Sequence, residues 1–239
     1  MEKKLKGKKL DKRMQRARAL VKRDLYDLES ALSVLEEYGS SCAAKFDETV
    51  EVVFKVGVDP RQSDQMVRGS VAMPCGLGKD VRVAVFTKPE RHKEALDAGA
   101  DIVGYEDLIS QVKAGRIDFD TCLATPDVMP KLAALGKVLG PKGLMPNPRL
   151  GTVAEDIADA VRRVKAGQVE FKIEKAALIH AGIGKLSFKR DALKTNVNAL
   201  YEAVLAAKPS ASKGIYMQKM YISTSQGISL CLDLASMVA

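Results

Sequence analysis

Between Val81 and Ala124 the chain takes on a texture that leaves few folds open. Strand-like runs at 81–86, 101–103 and 119–124 are separated by single helix-length segments at 90–98 and 105–114. Strands alternating with one helix each imply right-handed βαβ crossovers, and therefore a parallel sheet. The flanks break this alternation. Segments 10–23 and 27–38 read as helices, the second capped by Asp27, carrying Ala31, Leu32, Leu35 and Tyr38 at helical spacing and stopped by Gly39. Thr49 to Gly57 alternates and is β-branched, which predicts a strand with Val50, Val52, Phe54 and Val56 on one face, broken by Asp59-Pro60.

Pro126 stands where a further helix would begin, running to about Leu135. The Gly- and Pro-dense stretch Leu139 to Gly151 excludes regular structure, and Thr152 with Glu155 forms a capping box for a helix reaching about Ala166. Strands are expected near 168–173, 177–182, 214–224 and 228–233, with a long helix over 190–207. The economical architecture is an α+β discontinuous domain of split βαβ type, residues 1–74 plus 160–239. An α/β three-layer, Rossmann-like domain is inserted in it over 75–159.

Net charge is +8, and its distribution says more than its sum. Residues 1–24, a basic extension, hold 11 Lys/Arg against 3 Asp/Glu; residues 25–74 hold 4 against 9, 75–159 hold 11 against 13, and 160–239 hold 12 against 5. Basicity therefore sits at the two ends, and ends that fold together would make one basic body, a footprint for polyanion binding. A basic N-terminal run is also what a solvated, solubilising tail looks like. No apolar run approaches the roughly 18 to 20 residues of a membrane span, and the N-terminus never enters an apolar signal core. A cytoplasmic protein without a membrane partner is expected.

Cys42, Cys75, Cys122 and Cys231 lie far apart without a Cys-x-x-Cys pair, and only His92 and His180 are present, so no metal site is written here. Gly76-Leu-Gly-Lys79 precedes a strand where a phosphate cradle must follow one, and His180-Ala-Gly-Ile-Gly-Lys185 lacks both the first glycine and the hydroxyl of a P-loop. His92 lies in a charged run with no nucleophile beside it. No catalytic residue and no cofactor is expected. Two alternatives stay open: an enzyme holding a small nucleotide on the α/β domain, and a basic protein binding any duplex without preference.

Other features point towards RNA without deciding the matter. The 139–151 loop carries Lys142 and Arg149 and no acid, which suits backbone contacts to phosphate and equally suits a bracing turn. Ser223-Thr224-Ser225 followed by Gln226-Gly227 offers short hydrogen bonds to ribose and phosphate, or is an ordinary strand edge. With no Trp and few aromatics, recognition of RNA shape fits better than base stacking.

Four longer motifs go further: Phe46 in Lys45-Phe-Asp-Glu-Thr49, Asp59-Pro-Arg-Gln-Ser-Asp-Gln-Met-Val-Arg-Gly69, Leu139 to Pro148, and Ile179-His-Ala-Gly-Ile-Gly-Lys185. In this order and at these separations they closely resemble the bacterial ribosomal protein L-one family, the likeness running from about Lys45 to Gly227. The resemblance implies the discontinuous two-domain fold and a protein that is a monomer when free. It implies 23S rRNA of the large (50S) ribosomal subunit as partner, in the mobile stalk near the E site. It also implies help in releasing deacylated E-site tRNA, and repression of translation by binding the messenger RNA of its own operon. The family's main RNA surface falls here on Lys45, Phe46, Thr49, His180, Lys185, Thr224, Ser225 and Gly227, with Lys142 and Arg149 as secondary contacts of the inserted domain. Gly227 is expected to matter because any Cβ there would hold the RNA backbone away or force an unfavourable φ. The chain departs from the family at Ser225-Gln226-Gly227, where Thr-Met-Gly is usual, at Cys75 in place of a His, and at Ile173-Glu174 in place of Asn-Asp.

Overall fold

The computed structural model describes residues 11–237. In chain order the elements are α1 (Lys12–Ala19), α2 (Leu28–Ser41), β1 (Thr49–Val56), β2 (Arg68–Ala72), β3 (Val83–Phe86), α3 (His92–Asp97), β4 (Ile102–Gly104), α4 (Glu106–Lys113) and β5 (Thr121–Ala124). There follow α5 (Met129–Leu132), α6 (Gly136–Leu139), α7 (Ile157–Lys165), β6 (Gln168–Lys172), β7 (Leu178–Lys185), α8 (Arg190–Ala206), β8 (Met217–Thr224) and β9 (Ser229–Leu232).

Two compact units result: the chain up to Val67 together with the chain from Lys172 onward, and Arg68–Phe171 between them. The division drawn from sequence at 74/75 and 159/160 therefore moves outward on both sides. Its second cut falls inside α7, whose Ile157, Ala160, Val161 and Val164 are buried with Val83, Val85, Ala95 and Leu123 of the inserted unit. On the other side β2, which the sequence shows only as a change of texture, pairs with β6 in a two-stranded sheet. The shift alters the charge division. The inserted unit holds 15 basic and 14 acidic residues, the rest of the chain 23 and 16, so the excess of the latter comes from residues 1–24.

In the inserted unit β3 lies between β4 and β5, parallel to both. Its residues point alternately to two helical layers: Val83 and Val85 pack with α3 and α7, Ala84 and Phe86 with α4, α5 and α6. A strand buried on both faces is why 83–86 is continuously apolar. The single helix expected over 126–135 is instead a 3-10 turn at Pro126–Val128, the short α5 and a second 3-10 turn at Ala133–Leu135, with α6 following beyond it. The capping box is also corrected. Thr152 is buried, its hydroxyl accepting from the Asn147 N–H at 2.8 Å and donating to the Asn147 carbonyl at 3.1 Å, so it ties the Gly/Pro loop. Asp156 caps α7 instead, accepting from the Asp159 N–H at 3.0 Å. Asp156→Ala is expected to cost about 1 kcal/mol and to lower the thermal midpoint by a few degrees, read by calorimetry; Thr152→Ala should act through the loop and leave α7 capped.

The unit built from both ends contains a four-stranded sheet in the order β7-β1-β8-β9, antiparallel throughout. Val50, Val52, Phe54 and Val56 are buried, as the alternation predicts, and each contributes about 1.5–3 kcal/mol of apolar burial. The same core takes in Leu28, Leu32 and Leu35 of α2 and Leu193, Val197, Leu200 and Val204 of α8, and the Phe54 and Tyr201 rings lie 6.5 Å apart. Asp27 caps α2 by accepting from the Ser30 N–H at 3.1 Å. Gly39 does not stop that helix, which continues to Ser41. A Cβ there would sit 3.3 Å from Leu186 Cγ, so the residue permits a close approach. α1 is shorter than the 10–23 expected, and residue 10 lies outside the described part.

Candidate nucleic-acid interface

With the even-numbered residues of β1 turned to the core, Thr49, Glu51, Val53 and Lys55 face away from it. The registers set Glu51 beside Ser223 and Gly182, Val53 beside Tyr221 and His180, and Lys55 beside Lys219. At one end of this open face the chain before β1, the end of β7 and the β8–β9 turn come together. Thr49 pairs with Lys185, whose ammonium donates to Thr49 Oγ1 at 2.9 Å and to the Asp47 carbonyl at 3.4 Å. On the opposite edge of β1, Ser225 N–H donates to the Thr49 carbonyl at 3.0 Å, and Ser225 Oγ accepts from Thr49 N–H at 3.2 Å. Lys45 and Phe46 are exposed just ahead, the phenyl ring to 50%. An ammonium, two hydroxyls and an uncovered ring on one strand end supply donors for phosphate and 2′-OH groups and an apolar face for a ribose or base.

The glycine turn is shaped to deliver Lys185. The β1–β7 register slips between Val50 and Glu51, leaving Ile183 as the extra residue of a bulge. Gly184 there has φ 152°, and a Cβ on it would lie 2.9 Å from the Phe188 ring.

Under this surface lies a carboxylate that takes no part in it. Glu48 is fully buried and accepts from Tyr38 Oη at 2.8 Å, Ala44 N–H at 2.8 Å and Gln226 N–H at 3.4 Å, and pairs with the Arg13 guanidinium at 3.4 Å. Burial by itself would raise its pKa. The Thr224 hydroxyl facing it, the Ala44 amide, the Tyr38 hydroxyl and the Gln226 amide outweigh burial and hold it below its ordinary value.

A family model described as the ribosomal protein L1p/L10e family matches residues 38–228. The chain is 50% identical over 232 residues to the large ribosomal subunit protein uL1 of Paraburkholderia xenovorans, covering 97% of this chain and 99% of that protein. It is 52% identical over 226 residues to the protein of the same name in Rickettsia akari, covering 94% and 93%, and 53% identical over the same length to that of Rickettsia rickettsii. The chain belongs to the ribosomal protein L1p/L10e family. This is a family of structural ribosomal proteins and not of enzymes, which closes the nucleotide-enzyme alternative. No helix among the described residues is long and apolar enough to cross a membrane.

Within this L1p/L10e chain the expected site residues do not all share one place. Lys45, Phe46, Thr49, Lys185 and Ser225 gather at the sheet end. His180 is exposed on the same open face but pairs with Val53, four residues up β1 from Thr49, or about 13 Å away. Its Nε2 lies 3.9 Å from Glu174 Oε2. Thr224 is turned inward and is 6% exposed, and its Oγ1 reaches no partner of ordinary hydrogen-bond geometry among the described residues. Thr224 therefore supports the turn from below instead of presenting a hydroxyl. Gly227 is required for an internal reason: a Cβ on it would come 2.0 Å from Thr224 Oγ1 and 2.7 Å from the Tyr38 ring. Gln226 holds the turn through its backbone, so the Met usual there changes only an exposed side chain. In the inserted unit Lys142 is exposed in the turn after α6; the Arg149 side chain lies outside the described part. Sequence reading missed Arg13, Tyr38 and Glu48. The one available signal was a glutamate in phase with Val50, Val52 and Phe54, which face inward.

Proposed function

We propose that this chain is a structural constituent of the large ribosomal subunit, working in the cytoplasm, that binds 23S rRNA with the sheet end formed by Lys45, Phe46, Thr49, Lys185 and Ser225. The observation that carries this reading is the convergence, from chain segments far apart in sequence, of an ammonium, two hydroxyls and an exposed phenyl ring on one edge. Relatives named large ribosomal subunit proteins, identical at half their positions over nearly the whole chain, support it. His180 extends the surface along the open face, and Lys142 and Arg149 of the inserted unit make secondary backbone contacts. The resemblance extends the proposal to the mobile stalk near the E site, to release of deacylated tRNA, and to repression of the protein's own operon. Both RNAs would use the same sheet end, so a stalk transcript should displace the operon leader in competition.

The test is titration of a stalk transcript of 23S rRNA. Phe46→Ala is expected to leave the thermal midpoint unchanged, because the ring is half exposed, and to weaken binding by roughly 5- to 150-fold, the equivalent of about 1–3 kcal/mol. Lys185→Ala should weaken it as well and reduce the slope of log affinity against log salt. Wild-type affinity in both variants would move the RNA surface elsewhere.

A further inference from the structure

A basic N-terminal run acts on RNA through charge, and every Lys or Arg in it would be expected to do the same work. Arg13 is placed differently from its neighbours. Lys12, Arg16 and Arg18 of α1 are exposed, whereas Arg13 is largely covered and its guanidinium is turned into the protein. Nη1 lies 2.9 Å from Tyr38 Oη, 3.3 Å from the Cys42 carbonyl and 3.4 Å from Glu48 Oε1, while Nη2 donates to the Gln226 carbonyl at 2.9 Å. Gln226 is the middle of the turn that carries Ser225. Its carbonyl is held by Arg13 and its N–H by Glu48, and those two side chains are themselves paired. Ser225 on one side of it is tied to the Thr49 backbone, and the Gly227 N–H to Thr224 carbonyl contact, at 3.2 Å, closes the turn from within, so among the described residues it is Arg13 and Glu48 that hold the exposed Gln226 peptide between them.

We infer that Arg13 is a positioning residue for RNA recognition: by clamping the Gln226 peptide against Glu48 it sets the Ser225 hydroxyl beside Thr49, without itself touching RNA. The inference rests on the RNA-binding reading above and deepens it. A guanidinium has five donors in a fixed fork. Those directed at a carbonyl and a buried carboxylate are not offered to phosphate, so removing them should leave the number of counterions released on binding unchanged. Lysine at this place would keep the charge opposite Glu48 but lose the fork that also reaches Gln226.

The experiment titrates the full-length protein with the stalk transcript over a series of salt concentrations, alongside thermal melts. Arg13→Met is expected to lower affinity about tenfold at every salt concentration, leaving the slope of log affinity against log salt unchanged. Arg13→Lys should show a smaller loss in the same direction, and it provides the readout if Arg13→Met fails to fold. The double change Arg16→Met with Arg18→Met should flatten the slope. A flatter slope in the Arg13 variants would make Arg13 a phosphate ligand and overturn the inference. Wild-type affinity with a lowered thermal midpoint would reduce it to a stabilising contact and overturn it equally. If the wild-type protein itself does not bind the transcript, the RNA-binding reading fails, which is a distinguishable result.

Discussion

Gly227→Val should be strongly damaging at the candidate interface, and most of the damage should be visible without RNA. A Cβ at this position would meet Thr224 Oγ1 at 2.0 Å and the Tyr38 ring and hydroxyl at 2.7 and 2.8 Å, distances at which something must move. Neither neighbour can yield cheaply, since Tyr38 is fully buried and donates to Glu48, and Thr224 is packed beneath the turn. Overpacking of this kind costs about 1–3 kcal/mol, so Gly227→Ala belongs within that range and the branched valine at its upper end or beyond. For a chain of this length about 3 kcal/mol lowers the thermal midpoint by roughly 6–12 °C. RNA affinity should fall with it, because the turn that moves carries Ser225. A variant with an unchanged melt and weakened RNA binding would show that the glycine serves approach of the RNA, and the packing account would be wrong.

Removal of the buried carboxylate should cost at least as much. Glu48→Ala leaves the Arg13 guanidinium, the Tyr38 hydroxyl and the Ala44 and Gln226 amides facing a gap, and breaking a buried pair from one side costs about 3–5 kcal/mol. Glu48→Gln should cost less, since an amide oxygen can still accept. It also exposes a pH dependence whose sign follows from the lowered pKa. A carboxyl held below its ordinary value of 4.5 in the folded state contributes stability that is present above that value and is lost as pH falls through the folded value. Thermal melts from pH 7 to pH 3 should therefore show wild type losing more stability on the acid side than Glu48→Gln. Asp27, Asp101 and Asp120 are lowered too, by the Ser30 hydrogen bond, the Lys165 ammonium and the Arg82 backbone respectively, so both proteins will lose some. Parallel pH curves for the two would remove Glu48 as a contributor.

The two effects share one location, and their coupling can be read directly. Tyr38 both blocks a Cβ at Gly227 and donates to Glu48. The cost of Gly227→Ala should thus differ between wild type and Glu48→Gln backgrounds, as it does for residues in one network.

The period of the sequence carried much of the fold. The two-residue alternation of Val50, Val52, Phe54 and Val56 fixed the buried face of β1, and with it the open face on which Thr49 stands. The βαβ cadence fixed a parallel sheet, and continuous apolar character at 83–86 fits a strand covered on both sides. The L-one-like motifs pointed to the family, and four of their residues, Lys45, Phe46, Thr49 and Lys185, lie at one sheet end together with Ser225. Periodicity was weaker at element ends. Thr152 has the chemistry of a helix cap, but a hydroxyl serves whichever backbone amide the fold brings to it, and the loop at Asn147 reached it before α7 did. Gly39 was read as a stop because glycine favours helix ends, while here the missing side chain makes room for Leu186.

The sequence by itself determined which faces are apolar, that the middle of the chain forms a parallel α/β unit, and to which family the chain belongs, because these rest on local spacing and on motifs readable in one dimension. Only the tertiary structure decided where the units divide, since burial of α7 depends on contacts with β3 and β5. It also decided that Thr224 and Gly227 look inward, and that Arg13, Tyr38 and Glu48 meet beneath the turn. Arg13 and Gln226 stand 213 residues apart in sequence. No pattern along the chain encodes the meeting of such groups; it follows from three segments being fixed by their own apolar faces, which leaves their polar ends one arrangement in which every buried charge finds a partner.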